Sequence, residues 1–115
     1  VREFSEKLRK IVLKTSDSIY VVDVQDIVRC ESDSSYTTFF LIDKRKILVS
    51  KVLKDYDELL ADSGFIRVHK SHLVNLNHIN KFNKTDGGFL EMKDGSNVPV
   101  SQRKRDTILV FCENL

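Results

Sequence analysis

The sequence predicts a mainly β fold with two helices, and three observations support this prediction. Short segments rich in β-branched and aromatic residues recur along almost the whole chain. Gly-containing turn signals separate several of them, notably Asp86-Gly87-Gly88 and Asp94-Gly95. Helical periodicity of apolar residues is confined to two places. A chain of 115 residues is long enough for one hydrophobic core and too short for two domains.

The predicted strands follow one another with mostly short connections. In chain order they cover residues 10–14, 18–24, 26–32, 35–42, 46–50, 65–70, 72–76, 78–84, 88–92 and 96–101. The two Gly-containing turns connect the last three of these segments. These three strands are therefore expected to form an antiparallel meander.

The first predicted helix covers about residues 51–62. Its apolar positions recur at helical spacing and are Val52, Leu53, Tyr56, Leu59 and Leu60. Ser50 is a candidate N-cap, and Gly64 follows the expected end of the helix. The acidic residues of this stretch are Asp55, Asp57, Glu58 and Asp62. The helix is therefore expected to pack its apolar side on the sheets and to turn an acidic side to solvent.

The second predicted helix covers about residues 102–114, after Ser101 as a candidate N-cap. Its apolar face consists of Ile108, Leu109, Cys112 and Leu115. The first turn carries Arg103, Lys104 and Arg105, although the helix macrodipole already makes this end positive. Cations together with the free N–H groups of a helix start form a phosphate site. The pattern is compatible both with such a site and with a solvated basic turn.

Charge is unevenly distributed along the chain, although the net charge is only +2. Residues 65–85 contain no Asp or Glu, whereas they contain Arg67, Lys70, Lys81, Lys84 and all three histidines. The cluster at 103–105 adds to this basic character, and acidic residues concentrate at 55–62. A surface divided in this way can turn one side to a polyanion and the other to water.

The cysteines, the N-terminus and hydropathy indicate the compartment. Cys30 and Cys112 are far apart, lack C-x-x-C spacing and lie in apolar stretches, so we expect free thiols in a reducing cytosol. The chain has no signal peptide and no apolar run near the roughly 18 residues that a membrane helix needs. A cytoplasmic protein without membrane contact is expected. Residues 1–9 are polar and begin with Val1, which is typical of a linker that leads from a longer protein into a domain at 10–115.

Several motifs along the chain match the pattern of a known protein family. The stretch FIRVHKSHLVNLNHI, followed by a Gly-containing hairpin and NVPVSQRK, is similar to the family pattern F-x-R-x-H-K/R-S-x-L/V-V-N-x-x-x-I and then apolar-Pro-apolar-Ser-x-Arg. Upstream, DIVRCESDSSYTTFFLI resembles the family's I-x-Y/F-I/V-E-S segment with its loop and Tyr, and VLKDYDELL falls where the family has a helix. The chain thus resembles the LytTR family of DNA-binding domains over about residues 10–115.

Membership in this family implies a fold and a function. It implies an elongated arrangement of small antiparallel sheets and sequence-specific binding of double-stranded DNA at promoter direct repeats. Loops, and not a recognition helix, would enter successive major grooves. The chain would be the output domain of a bacterial two-component response regulator, without enzymatic activity or a cofactor. An N-terminal receiver domain, absent from this chain, would precede it, and weak self-association would give a dimer only on DNA.

The resemblance places DNA contacts in three regions. The first is the loop Ser34-Ser35-Tyr36-Thr37, which is neutral here although many family members have a basic residue or His in it. The second is His69 and Lys70, and the third is the start of the second helix, with Gln102, Arg103 and Lys104. Arg103 is the candidate for bidentate contact with guanine. We expect Lys81 or Lys84, but not both, to contact phosphate.

Alternatives remain at several of these positions. In an extended segment Arg67 and His69 point to the same side, so both are also candidates for structural hydrogen bonds. The histidines His69, His72 and His78 suggest zinc only weakly, because their spacing lacks the usual helical placement and a nearby Cys or acid. Cys30 lacks the Gly-rich turn and oxyanion hole of a catalytic nucleophile. A single-strand or RNA binder is the remaining alternative, stacking bases on Tyr36, Phe39, Phe40 or Phe82.

Overall fold

A computed structural model describes residues 9–114 of the chain. Within this range the strands are β1 Lys10–Lys14, β2 Ile19–Asp23, β3 Ile27–Asp33, β4 Tyr36–Leu41, β5 Lys46–Val49, β6 Phe65–His69, β7 His72–Asn75, β8 Ile79–Asn83, β9 Phe89–Met92 and β10 Asn97–Pro99. The helices are α1 Leu53–Leu59 and α2 Gln102–Glu113. The linker predicted for residues 1–9 lies, apart from Arg9, outside the described residues, and so does Leu115.

The strands form three antiparallel sheets. Their strand orders are β1-β2, β5-β4-β3-β7-β6 and β10-β9-β8. The mainly β fold class and each predicted strand are confirmed to within two residues at either end. The predicted meander is the third sheet, whose turns use the positive φ angles of Asp86, Gly87, Gly88 and Gly95. At Gly88 an added Cβ would lie 3.1 Å from the ring of Phe82, so glycine also leaves room for that ring.

The five-stranded sheet lies between two hydrophobic cores, because successive residues of a strand face opposite sides. In β7, Leu73 belongs to one core and Val74 to the other. A β-bulge in β3 places Ile27 and Cys30 in the first core and Val28 in the second. The domain measures 42 × 40 × 24 Å along its principal axes, so the stacked sheets spread in two directions and are thin in the third.

The hairpin β1–β2 and helix α1 cover the first core. Phe39 is its largest fully buried side chain, and its ring meets that of Tyr56 edge to face at 4.7 Å between centroids. Helix α1 is shorter than predicted, because it starts after Val52 and not after Ser50, and a 3₁₀ turn at 61–63 follows it. The buried stripe of this segment is Leu53, Tyr56 and Leu60. The prediction was wrong for Val52 and Leu59, which are 45% and 46% exposed.

The third sheet and helix α2 cover the second core. Helix α2 matches its predicted bounds to one residue, and Ile108 is its fully buried residue, as expected from the periodicity. Leu109 and Cys112 of the predicted apolar face are only partly buried. Ser101 has the extended backbone of an N-cap, but its side chain makes no capping hydrogen bond.

Polar side chains fix the third sheet to the five-stranded sheet. Nε of Arg29 donates to Oγ of Ser96 at 3.1 Å, and its Nη1 donates to Oε1 of Glu31 at 2.8 Å. The guanidinium also lies 3.8 Å from the ring centroid of Phe40, a cation–π arrangement. Arg29 therefore connects β3 and β4 with the β9–β10 turn.

None of the helices in residues 9–114 is long and apolar enough to cross a bilayer.

Candidate nucleic-acid interface

Two of the three predicted contact regions lie at the same end of the five-stranded sheet. Strand β3 runs antiparallel to β7, with Glu31 opposite His72, and the amide of Ser32 donates to the carbonyl of Ser71 at 2.9 Å. The β3–β4 turn at residues 34–35 therefore extends past the β6–β7 turn at residues 70–71. The strand pairing brings these segments together although 36 positions separate Ser34 from Lys70.

A basic groove joins the second region to the third. The groove has a volume of about 530 Å³ and is lined by Asp57, Arg67, His69, Lys70, Ser101, Arg103 and Lys104. The amide of Ser101 donates to the carbonyl of Val68 at 2.7 Å, which fixes the start of α2 beside β6. Four cationic side chains and one imidazole thus meet one carboxylate. Such a groove can accept phosphate and the edges of bases.

The β6–β7 turn presents His69 and Lys70 to this groove. A register shift between Arg67 and His69 turns Val68 into the second core, where it is fully buried, and leaves Lys70 exposed in the turn. The amide of Ser71 donates to Nδ1 of His69 at 3.1 Å. Because Nδ1 accepts this bond, Nε2 of the neutral ring carries the proton and can act as a donor.

The start of α2 concentrates positive charge. Its first turn contains Arg103, Lys104 and Arg105, and it contains no acidic residue. Since the side chain of Ser101 makes no capping hydrogen bond, the positive end of the helix dipole is not offset by a protein oxygen from its own cap. Arg103 and Lys104 line the groove, whereas Gln102 is exposed at the first helical position and lies outside the lining.

Lys81 in β8 and Lys84 directly after it have different electrostatic surroundings. Nη2 of Arg105 donates to the carbonyl of Lys84 at 2.7 Å, so Lys84 lies beside the first turn of α2. Nζ of Lys81 lies 3.4 Å from Oε1 of Glu91, which compensates part of its charge. Of the two lysines, Lys84 is therefore better placed for phosphate.

The loop 34–37 is divided between surface and core. Ser34 and Ser35 are exposed in the turn, and Tyr36 is 47% exposed. Ser34 has a φ of +57°, uncommon for a residue other than glycine, and this conformation shapes the turn. Thr37, in contrast, is fully buried, and its Oγ1 donates to the carbonyl of Lys51 at 2.7 Å. The expectation that Thr37 faces DNA is at odds with this position, because the hydroxyl is enclosed and bonded inside the first core.

The roles of two residues, Asp57 in the groove and Arg105 beside Lys84, were not predicted from the sequence. Asp57 was assigned to an acidic side of α1 that turns to solvent, but it lines the basic groove and its Oδ2 lies 3.7 Å from Nη1 of Arg67. Arg105 was part of the basic cluster without a role of its own. Neither role has a local signal in the sequence, because each depends on an element distant in the chain.

The aromatic residues proposed for base stacking are mostly covered. Phe39 is buried in the first core, Phe40 lies beneath the guanidinium of Arg29, and Phe82 packs against the second core. Tyr36 is the exposed member of this set. A stacking platform for single strands needs several exposed rings in sequence, so the structure does not favour that alternative.

The histidines and cysteines of residues 9–114 do not converge on a common metal site. The rings of His69 and His72 lie 5.3 Å apart, whereas Nε2 of His78 lies 2.6 Å from the carbonyl of Gln25. In this part of the chain no three His, Cys, Asp or Glu side chains converge as metal ligands would. Burial raises the pKa of the Cys30 thiol far above its usual range, and burial also raises the pKa of Cys112. Both thiols therefore stay protonated and unreactive near neutral pH.

His72 lies beside the turn, and its pKa is lower than the ordinary value of 6.5. Burial is the main cause, and the nearby His69 and Arg29 lower it further, whereas Glu31 acts in the opposite direction. The folded chain thus favours the neutral ring. As the pH falls below 6.5, the unfolded chain takes up a proton at His72 before the folded chain does. The stability that depends on the neutral ring is present above pH 6.5 and is lost below it.

We therefore expect His72→Gln to reduce the loss of stability between pH 7.5 and pH 5.5. The glutamine cannot be protonated, so the preferential uptake of a proton by the unfolded chain disappears. Urea unfolding of both proteins at the two pH values measures the effect. An equal loss of unfolding free energy in the two proteins would show that His72 does not cause it.

Comparison with known proteins identifies the family. A family model described as the LytTr DNA-binding domain matches residues 17–110, which is most of the chain and includes the whole groove. The chain belongs to the LytTR family of DNA-binding domains. The predicted resemblance is thereby confirmed, and DNA is the partner of this LytTR domain.

Relatives and a solved structure agree with this assignment. The domain is 37% identical over 97 residues to the sensory transduction protein LytT of Bacillus subtilis, covering 81% of this chain and 39% of that protein. It is 35% identical over 101 residues to the heme-containing CO-sensing transcriptional regulator RcoM 2 of Paraburkholderia xenovorans, covering 85% and 38%. A solved LytTr DNA-binding domain from Bacillus cereus matches with a TM-score of 0.74 at 29% identity, covering 86% and 92%. The chain thus spans about two fifths of the length of these full-length relatives.

Proposed function

We propose that this LytTR domain binds promoter direct repeats in double-stranded DNA sequence-specifically and is the output domain of a bacterial transcription regulator. The observation that carries the proposal is the basic groove, in which the β6–β7 turn and the start of α2 meet. These two segments were separately expected to contact DNA. The β3–β4 turn lies at the same end of the five-stranded sheet as the β6–β7 turn, which supports one continuous contact surface.

The side chains of this surface suggest distinct roles. Arg103 is proposed to bind a guanine through two parallel hydrogen bonds, because its planar guanidinium matches O6 and N7 in the major groove. Lys70, Lys84 and Lys104 are proposed to neutralise phosphates. His69 would donate through Nε2 to an acceptor on the duplex, and Gln102 with the exposed Ser34, Ser35 and Tyr36 would contact the neighbouring backbone or base edges. The surface binds and positions DNA, and the proposal assigns it no catalytic step.

The proposed partners follow from the lengths and names of the relatives. LytT is named a sensory transduction protein and RcoM 2 a transcriptional regulator, and both are more than twice as long as the matched region. We propose that the present domain likewise receives a signal from a further domain, of the receiver type, and acts in the cytoplasm. Two copies would occupy tandem repeats while associating only weakly without DNA.

Selection from a random pool of duplexes tests the proposed function. We expect an enriched pair of directly repeated sequences, bound more tightly than the same sequence as a single strand or as RNA. Affinity should fall with salt at a log–log slope of about −0.9 for each neutralised phosphate. Lys104→Ala should reduce the magnitude of that slope by about one unit, because it removes one cation from the start of α2.

Lys93→Ala is the matched control for this measurement. Lys93 is an exposed lysine at the β9–β10 turn, and the pairing of Ile79 with Met92 places that turn at the end of the third sheet opposite to Lys84. Its removal should leave the slope unchanged. Binding to single strand or RNA that is as tight as binding to duplex would contradict the proposal and favour the single-strand alternative. An affinity that does not depend on salt would contradict the proposed phosphate contacts.

A further inference from the structure

The side chain of Arg67 lies in the basic groove but uses its guanidinium within the protein. Nη2 donates to the backbone carbonyl of Lys70, and Nη1 lies 3.7 Å from Oδ2 of Asp57 on α1. The side chain is 28% exposed, and within residues 9–114 its buried Nε has no hydrogen-bond partner. Arg67 thus spans from α1 to the turn that presents Lys70.

We propose that Arg67 is a positioning residue for DNA recognition, which holds the β6–β7 turn through the carbonyl of Lys70. The ion pair with Asp57 compensates the charge of Arg67, so that Arg67 does not bind phosphate itself. This inference rests on the proposed role of the groove in binding DNA. It goes beyond the proposed function because Arg67, although it lines the groove, would make no contact with the duplex. It also gives Asp57 a reason to lie among cations.

The place of the turn in the sheet explains why it needs such support. Strand β6 is at the edge of the five-stranded sheet, so no further strand in the described chain pairs with it on the side away from β7. The β-bulge next to the turn also interrupts regular pairing between Arg67 and His69. The hydrogen bond from Arg67 to the carbonyl of Lys70 restrains the β6–β7 turn. With it, the groove can keep Lys70 and His69 in one arrangement before DNA binds.

The surroundings of Arg67 argue against a role in stability alone. A partly buried cation with an unpartnered Nε loses hydration that its contacts do not fully replace. An apolar side chain of similar length should therefore be tolerated in the fold. Asp57, which is 36% exposed, can be hydrated when Arg67 is removed. Arg67→Met is thus expected to unfold at nearly the parent temperature, which thermal unfolding followed by circular dichroism checks.

A double-mutant cycle on the selected duplex tests the inference. We expect Arg67→Met and Lys70→Ala each to weaken binding by about tenfold, and the double variant to bind about as weakly as either single variant, because both changes remove the same contact. Lys104→Ala combined with Arg67→Met should instead multiply the two losses. The salt slope should fall in magnitude by about one unit in Arg67→Met, as in Lys70→Ala, and no further in the double variant, because the phosphate contact of Lys70 is the one that each change removes.

Arg67→Lys provides a second variant that retains the charge. Lysine lacks the planar guanidinium with which Arg67 reaches both Asp57 and the carbonyl of Lys70. The Arg67→Lys variant should therefore bind as weakly as Arg67→Met. Three results would overturn the inference: a salt slope about two units smaller in magnitude in the Arg67→Met, Lys70→Ala double variant than in the parent, losses of affinity at 67 and 70 that multiply, or full binding by Arg67→Lys. In each of these cases an effect of Lys70→Ala would leave the proposed function intact. If neither Lys70→Ala nor Lys104→Ala changes the affinity for the selected duplex, the proposed interface is rejected, and this inference with it.

Discussion

Arg103→Lys is expected to weaken binding to the selected duplex by about 1–3 kcal/mol while changing binding to random DNA little. Lysine retains the positive charge in the groove but lacks the planar pair of donors that fits guanine O6 and N7. The loss should therefore fall on the discriminating contact and spare the non-specific attraction to phosphate. The ratio of the two affinities, measured at one salt concentration, reports the effect.

The controls for Arg103→Lys separate base recognition from charge. Lys104→Ala, at the next position of the same helix turn, should weaken binding to selected and random duplexes to a similar extent. Arg103→Lys should also leave the unfolding temperature nearly unchanged, because Arg103 is exposed. If Arg103→Lys binds both duplexes as the parent does, Arg103 acts only as a charge. Base recognition would then have to come from the exposed part of the loop 34–36.

Ile108→Ala is expected to lower the free energy of unfolding by about 2–5 kcal/mol. Ile108 is the fully buried residue of α2, and it attaches the helix to the second core, where Val68 and Leu90 are also fully buried. Removing most of its side chain leaves a cavity and frees the helix from the sheet. Since the start of α2 forms one wall of the groove, binding to DNA should weaken even where the rest of the domain stays folded.

Val110→Ala is the matched control, because Val110 lies two residues further on the same helix and is 57% exposed. It should change the free energy of unfolding by no more than about 0.5 kcal/mol. Urea unfolding gives the stability of both variants, and titration with the selected duplex gives their affinity. A stability of Ile108→Ala equal to that of Val110→Ala would mean that α2 is not held by this contact.

Local patterns were sufficient to predict most secondary structure, including the strand that carries Arg67 and His69 and the helix that begins at Gln102. Alternating and helical periodicities can be recognised within a few neighbouring residues. Turns such as Asp94-Gly95 can be recognised because they need backbone angles that few residue types adopt. Helix boundaries were less accurate: Ser50 was a plausible cap by residue type, but packing of Leu53, Tyr56 and Leu60 decided where α1 begins.

By itself the sequence determined the fold class, the family motifs and the basic segments around Lys70 and Arg103. Only the tertiary structure decided which of these segments share a surface, because strand register and sheet packing depend on contacts between residues far apart in the chain. The bond from Ser101 to Val68 forms the groove, the register of β4 buries Thr37, and the packing of α1 brings Asp57 to Arg67. None of these contacts has a periodicity or spacing that the sequence displays.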